Sequence, residues 1–78
     1  MQFFKTIREE QKSSYVKYTN LRAEASPKAS VVHMVAINQV LEHIQSEGGW
    51  TQVKYKDFAN NKTYTGWVWY KLIKEIEL

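Results

Sequence analysis

Short segments in which apolar and polar residues alternate, separated by turn residues, dominate the chain. This alternation is typical of strands that bury one face. The predicted strands are Tyr15–Arg22, Val31–Val35, Gln39–Gln45, Trp50–Lys56 and Thr63–Tyr70, followed by a one-turn helix and a last strand within Lys71–Leu78. A single helix over Val31–Ile44 is the alternative there, but its β-branched valines and isoleucines weigh against it. About five or six short strands, in a chain too short for two full sheets, predict an all-β fold, a small closed antiparallel barrel.

The N-terminal segment has a different pattern, because Phe3, Phe4 and Ile7 recur at helical spacing ahead of a charged run. This pattern predicts a short amphipathic helix or an ordered arm over Gln2–Lys12. We therefore divide the chain into an N-terminal arm, residues 1–14, and a barrel domain, residues 15–78. Two adjacent phenylalanines are costly to expose, so the arm either covers one open end of the barrel or contacts a partner or a membrane.

Turn residues mark the connections between the predicted strands. Ala23–Ser30 contains the only proline, with serines on either side, and predicts a long loop after the first strand. Asn38 lies where a turn that needs a positive φ would fall. A further turn is predicted at Gly48-Gly49, and Asp57–Lys62 is predicted to form the loop of the last hairpin.

The densest aromatic stretch is Tyr64–Ile73, and Trp50 opens the strand that is predicted to pair with it. Trp67 and Trp69 share one strand parity and Val68 the other, so burial of Val68 would place both tryptophans on the outer face or along the rim. The chain holds 3 Trp, 5 Tyr and 3 Phe, which is more than so small a core can bury. Exposed aromatic rings with lysines nearby indicate a binding surface that stacks on sugar rings, peptide planes or bases.

Composition and charge exclude several chemistries. The 78 residues contain no cysteine, which removes disulfides, thiolate catalysis and sulfur-bound zinc. The formal charge of +3 favours anionic surfaces only weakly, since no run of like charges marks a nucleic-acid-binding arm. His33 and His43 lie on separate predicted strands without acidic residues at metal-binding spacing. We therefore predict no enzyme activity, no cofactor and no bound metal.

Four short motifs occur in an order and spacing that resemble those of bacterial Src-homology-3 (SH3b-type) domains. They are Thr19-Asn20-Leu21-Arg22, the apolar pair Val31-Val32, Gly49-Trp50 with Val53 three residues on, and Gly66-Trp67-Val68. The first resembles the family's Leu-Asn-Val/Leu-Arg pattern, with Thr19 in place of the leucine. The loop entry Ala23–Ala25 and the long hairpin Asp57–Thr63 also depart from the family, at places where such modules vary their ligands.

The resemblance implies an SH3-like barrel that acts as a non-catalytic binding module. It also implies ligand contacts around the first loop, through Tyr18, Glu24, Trp50, Trp69 and Tyr70. For Trp50 and Trp67, a structural role at barrel junctions is the equally weighted alternative.

Three ligand classes stay open. The resemblance favours cell-wall peptidoglycan, its stem peptides or a cell-envelope protein. A protein-interaction or assembly role comes second, including a homo-oligomer built through the Phe3-Phe4 arm. Single-stranded nucleic acid comes last, because glutamates interrupt the dispersed lysines.

The compartment is undetermined by the sequence. No stretch approaches the roughly 18 apolar residues of a membrane span, and Met1–Thr6 lacks the apolar region of a secretory signal. We expect the chain as given to be neither exported nor anchored. A signal upstream would place the domain in the cell envelope or outside the cell, and otherwise it is cytoplasmic.

Overall fold

The computed structural model describes residues 2–7 and 18–76, and this part of the chain consists of strands, turns and one short 3₁₀ helix. In chain order the strands are β1 (Phe3–Thr6), β2 (Tyr18–Arg22), β3 (Val31–Ala36), β4 (Val40–Glu47), β5 (Trp50–Asp57), β6 (Lys62–Trp69) and β7 (Ile73–Ile76), with the 3₁₀ helix Tyr70–Leu72 before β7. The all-β prediction is confirmed, and so is the one-turn helix that leads to a last strand.

The described strands form one antiparallel sheet in the order β3-β2-β6-β5-β4-β1-β7. The prediction of a closed barrel is wrong, because within residues 2–7 and 18–76 the edge strands β3 and β7 do not pair with each other. Strand β1 lies beside β4 and has β7 on its other side, so β7 becomes the edge strand at this end of the sheet. Thr6 connects the two ends of the sheet instead, since its hydroxyl donates a 2.7 Å hydrogen bond to the Ala36 carbonyl at the end of β3.

The predicted N-terminal helix is wrong for the residues that the structure describes, since Phe3–Thr6 is strand β1. A helix of fewer than about 12 residues is marginal in water, whereas a strand between two others satisfies its backbone groups on both sides. Phe4 packs against the core from this strand. Residues 8–14 of the predicted arm, its boundary with residue 15, and the first three residues of the predicted first strand lie outside the described residues.

The core takes one apolar residue from each of the strands β2 to β7. These residues are Leu21, Val35, Leu41, Val53, Val68 and Ile73, and all are buried. Alternate residues of a strand point to opposite faces. The sheet curves so that the inward side chains of these six strands meet in one core cluster. Strands β2 and β6 approach closely at Gly66, where an added Cβ would lie 2.8 Å from the Cβ of Leu21.

Two fully buried threonines have opposite hydrogen-bonding environments. The hydroxyl of Thr6 donates to the Ala36 carbonyl and accepts from the Gln39 N–H at 2.9 Å. Thr19 is 2% exposed, and its hydroxyl has no hydrogen-bond partner among the described residues. A buried hydroxyl that has lost water without gaining a partner lowers stability.

The turns predicted at Asn38 and Gly48-Gly49 are confirmed, with φ angles of 66°, 54° and 85°. The last hairpin turn is shorter than predicted, because pairing between β5 and β6 continues out to Asp57 and Lys62. Its tip carries Phe58, which is 81% exposed.

Asp57 organises this hairpin turn with both carboxylate oxygens. Oδ2 accepts a 2.8 Å hydrogen bond from the side-chain amide of Asn60, and Oδ1 accepts a 3.0 Å bond from the Ala59 N–H. The side-chain bond from Asn60 contributes most to lowering the pKa of Asp57 below its usual 3.8, and the backbone bonds and the nearby His33 add to it. The charged form of the carboxylate is therefore the form that holds the turn.

We expect Thr19→Val to raise the free energy of unfolding by about 1 kcal/mol, because valine has the same shape without the unpaired hydroxyl. Thr6→Val is the matched control, and it should lower the free energy of unfolding by about 1–3 kcal/mol by leaving the backbone groups of Ala36 and Gln39 unpaired. Urea unfolding of the two variants measures both values. A loss of stability in Thr19→Val would show that this hydroxyl has a partner.

The hairpin turn should lose stability as the pH falls through the lowered pKa of Asp57. The folded pKa lies below the unfolded one, so the stabilisation is complete above the unfolded pKa and disappears as the folded carboxylate takes up its proton. Carboxyl-carbon NMR titration should give a midpoint below 3.8 for Asp57. Asp57→Asn keeps an oxygen acceptor without a titration, so its stability relative to wild type should improve with acidification, and a midpoint at or above 3.8 would contradict the assignment.

Candidate ligand-binding groove

A cavity of about 590 Å³ opens on the outer side of β2, between the β2–β3 loop and the ends of β5 and β6. Tyr18, Thr19, Asn20 and Arg22 of β2 line one side of it. Trp50, Trp69 and Leu72 line the other side, and Pro27 contributes from the loop. Its volume lies within the range of about 300–1,000 Å³ that is usual for small-ligand sites.

Strand periodicity explains the β2 side of the groove. Thr19 and Leu21 are buried, whereas Tyr18, Asn20 and Arg22 occupy the alternate positions and remain accessible. Because alternate side chains of a strand point to opposite faces, burial of Leu21 in the core directs Tyr18, Asn20 and Arg22 to the other face of β2, whereas Thr19 is buried where it borders the cavity. The same residues that anchor β2 therefore orient its ligand-facing side.

The opposite side is built from a cross-strand tryptophan pair. Trp50 and Trp69 are register partners on β5 and β6, with ring centroids 5.3 Å apart and planes at 60°. Tyr70 extends the aromatic cluster, since its ring centroid lies 4.9 Å from that of Trp69 in an edge-to-face arrangement. Val68 is fully buried, so the predicted outward parity of Trp67 and Trp69 is confirmed.

Gly49 makes room for this aromatic cluster. A Cβ at this position would lie 2.9 Å from Cζ3 of Trp69 and 3.5 Å from Cδ1 of Tyr70. The Gly49 carbonyl also accepts a 2.9 Å hydrogen bond from the Tyr70 N–H. The φ of 85° favours glycine here, and a side chain at this position would have to displace the Trp69 ring.

The β2–β3 loop is held by hydrogen bonds within its own backbone. Ala23 donates to the Ser30 carbonyl at 2.8 Å, which closes the base of the loop, and Ala29 donates to the Ser26 carbonyl at 3.2 Å. The guanidinium of Arg22 donates from Nη1 to the Ala29 carbonyl at 3.0 Å. These bonds fix the loop beside the groove and fix Arg22 to the loop.

The structure brings together three of the five residues predicted from the sequence to contact a ligand. Tyr18, Trp50 and Trp69 line the same groove, and Tyr70 packs against Trp69 at its margin while remaining 51% exposed. Glu24 lies apart, exposed in the β2–β3 loop and outside the groove lining. Ligand contact by these residues stays a prediction.

Sequence reasoning missed Thr19, Asn20, Arg22, Pro27 and Leu72 as parts of the groove. Strand alternation would have found Asn20 and Arg22, because they share the parity of Tyr18. Pro27 and Leu72 have no local signal, since a folded loop and the 3₁₀ helix bring them to the groove from distant positions in the chain.

Among the described residues, the side chains with perturbed pKa values, Tyr55 and Asp57, lie at the other end of the β5–β6 hairpin. Burial raises the pKa of Tyr55, with smaller contributions from Asp57 and Tyr64, and the pKa of Asp57 is lowered. Trp50, in the groove, and Asp57 are the two ends of β5, about 23 Å apart at the usual rise of a β-strand. Within residues 2–7 and 18–76 no group of three or more His, Cys, Asp or Glu side chains is arranged to hold a metal ion. The groove lining itself combines aromatic rings with neutral polar side chains and one guanidinium.

Among the described residues, no helix combines the length and the apolar character that crossing a bilayer requires.

We expect Gly49→Ala to disturb the groove much more than Gly48→Ala. Both glycines have positive φ, but a Cβ at Gly48 meets nothing within 4 Å, whereas one at Gly49 meets the rings of Trp69 and Tyr70. The backbone strain of about 1 kcal/mol is common to both variants, so the difference between them reports displacement of the rings. Near-ultraviolet circular dichroism should change in Gly49→Ala and stay close to wild type in Gly48→Ala. Equal spectra for the two variants would show that the rings do not depend on this contact.

Comparison with known proteins identifies the fold. Residues 17–74 match the family described as bacterial SH3 domain, and every residue that lines the groove falls within this range. No curated protein matches the chain. Bacterial SH3 domains are generally binding modules, in agreement with a groove built for recognition. The family resemblance drawn from the four sequence motifs is confirmed, and the chain belongs to the bacterial SH3 domain family.

Proposed function

We propose that this domain is a non-catalytic module that binds a peptide-containing cell-wall or cell-envelope ligand in the groove beside β2, with peptidoglycan stem peptides as the foremost candidate. The observation that carries the proposal is the convergence of Tyr18, Trp50 and Trp69 on one concave surface. Membership of the bacterial SH3 family supports a binding role of this kind.

The aromatic cluster gives the groove an energetic basis for binding. Tyr18 is 54% exposed and Tyr70 is 51% exposed, so both rings hold surface that a ligand can cover. Burial of apolar area stabilises a complex by roughly 25 cal/mol per Å², and ordered rings lose little conformational entropy on binding. The contacts among Trp50, Trp69 and Tyr70 already restrain their rings before any ligand arrives.

Peptide recognition fits the polar groups that accompany the rings. Asn20 lines the groove, and its side-chain amide offers both a donor and an acceptor, as a peptide unit does. An extended ligand lying along β2 would place its peptide groups opposite Asn20 and its apolar parts on Tyr18. Aromatic surfaces combined with a few polar groups are the usual composition of a specific small-ligand site.

Protein assembly is the second candidate, and the exposed apolar residues of the edge strand β3 favour it. Val31, Val32 and Met34 are each more than 40% exposed on a strand that pairs only with β2 among the described strands. The strand also lacks charged residues and proline, which usually protect a sheet edge. The earlier candidate surface, the Phe3-Phe4 arm, is less suitable because these residues belong to β1 inside the sheet.

Single-stranded nucleic acid ranks below both candidates. Lys54, Lys56 and Lys62 lie in the half of the β5–β6 hairpin that leads to its tip, whereas Trp50 and Trp69 lie at the opposite end. These three lysines and the tryptophan pair therefore do not form one continuous channel, although Arg22 lines the groove and Lys71 Nζ lies 5.9 Å from the Tyr70 ring centroid.

Sedimentation with purified peptidoglycan sacculi tests the proposal. Wild-type protein should pellet with sacculi at moderate salt, and Trp69→Ala and Tyr18→Ala should each reduce binding about tenfold or more, since central aromatic contacts typically contribute 2 kcal/mol or more. Phe58→Ala is the matched control, because it removes an aromatic ring that is 81% exposed at the far end of the hairpin. This variant should pellet like wild type.

Two outcomes would contradict cell-wall binding through the groove. Equal losses in Phe58→Ala and Trp69→Ala would indicate non-specific adhesion of exposed rings. If every protein including wild type stays in the supernatant, cell-wall binding fails and assembly through β3 becomes the leading candidate.

A further inference from the structure

We propose that Arg22 makes the groove selective for peptides that carry a free carboxylate, and that it binds this carboxylate through its guanidinium. The inference rests on the proposed function, because it names the chemical group by which the same groove would choose among peptide ligands. It is carried by the charge of the groove lining, by the hydrogen bond that holds Arg22 and by its position in β2.

The charge of the groove lining comes from Arg22. The other described residues that line it are neutral side chains of tyrosine, threonine, asparagine, proline, tryptophan and leucine, and no carboxylate is among them. Glu24, the nearest acidic residue along the chain, lies outside the lining. A concave site with one sign of charge favours ligands of the opposite sign, so the groove is complementary to an anion.

Because the guanidinium is planar, its shape favours a planar anion. A guanidinium carries five N–H donors in a rigid fork that matches the two oxygens of a carboxylate. The bond from Nη1 to the Ala29 carbonyl uses one donor and holds the side chain in place. Arg22 is also partly buried, and a charge-assisted hydrogen bond is stronger where water is partly excluded.

The position of Arg22 sets where the carboxylate would lie in the ligand. A register shift in the β2–β3 pairing falls between Leu21 and Arg22, so that Arg22 faces Val31 on β3 and Trp67 on β6. The extra residue of this bulge, Val32, lies on β3, so Arg22 keeps the strand alternation that places it on the same face of β2 as Tyr18. Arg22 is four residues from Tyr18, which is about 13 Å along a strand. The favoured ligand is therefore an extended peptide whose carboxylate lies about three to four residues from the group that covers Tyr18.

A purely structural role for Arg22 predicts different behaviour. If its only task is to hold the β2–β3 loop through Ala29, its replacement should weaken binding of charged and neutral ligands alike. If it binds a carboxylate, its replacement should weaken binding of the charged ligand alone. The comparison of two ligands that differ only in this group separates the two roles.

The test uses two synthetic stem peptides of sequence L-Ala-γ-D-Glu-L-Lys-D-Ala-D-Ala. One has free carboxylates, and in the other each carboxylate is a primary amide of nearly the same shape. Titration of intrinsic tryptophan fluorescence reports binding, because Trp50 and Trp69 line the groove. For wild-type protein the free-acid peptide should bind about tenfold or more tightly than the amide, which is the usual contribution of a hydrogen bond to a charged group.

The variants assign this preference to one side chain. In Arg22→Gln the free-acid and amide peptides should bind equally, and in Arg22→Lys, which keeps the charge without the fork, the preference should be intermediate. Lys28→Gln is the matched control, since it removes one positive charge from the same loop at an exposed position outside the groove lining. Its preference should match that of wild type.

Each other result overturns the inference. Equal binding of both peptides by wild-type protein would reject carboxylate selection while leaving peptide binding intact. A preference that survives in Arg22→Gln, or that is lost equally in Lys28→Gln, would assign it to another group or to net charge. If neither peptide binds wild-type protein, stem-peptide binding itself fails, and carboxylate selection fails with it.

Discussion

The antiparallel pairing of β5 with β6 is the constraint on which the rest of the structure depends. Its register places Val53 opposite Gly66 and Thr51 opposite Val68, all buried, so this long hairpin has one face in the core. A shift by one residue would turn those side chains to solvent, and burial of valine side chains therefore specifies the register strongly. The same register sets Trp50 beside Trp69 at the other face.

The β5–β6 register places Gly66 in the core, and β2 approaches β6 most closely at this glycine. The groove forms beside this contact. Gly66 lets Leu21 and the backbone of Arg22 pack directly against β6, where any side chain would hold β2 away. Core packing thus decides the width of the groove, and the exposed residues of β2 reach the tryptophan pair as a consequence. A substitution deep in the core at this contact would change the groove without altering any residue that lines it.

The sequence predicts the interior of the fold well because its signals there are local. Alternation with β-branched residues located the strands from Val31 onward, and Asn38 located a turn through a backbone conformation that few residues adopt. Because neighbouring strand residues point to opposite faces, the inward position of Val68 correctly predicted that Trp67 and Trp69 point outward. Helical spacing of Phe3, Phe4 and Ile7 was misleading, because tertiary pairing of β1 with β4 and β7 outweighs a short local pattern. Pro27, Leu72 and the contact between Arg22 and Ala29 depend on how the chain folds back, which no local pattern encodes.

Strand β1 lies before the segment that matches the bacterial SH3 domain family. The family match begins at residue 17, whereas β1 lies at Phe3–Thr6 and still supplies the only described link between β4 and β7. A fragment cut at the family boundary would expose the edge of β4, leave β7 without its strand partner and remove the bond from Thr6 to Ala36. The sheet therefore extends beyond the segment that the family comparison covers, since β1 is one of its inner strands.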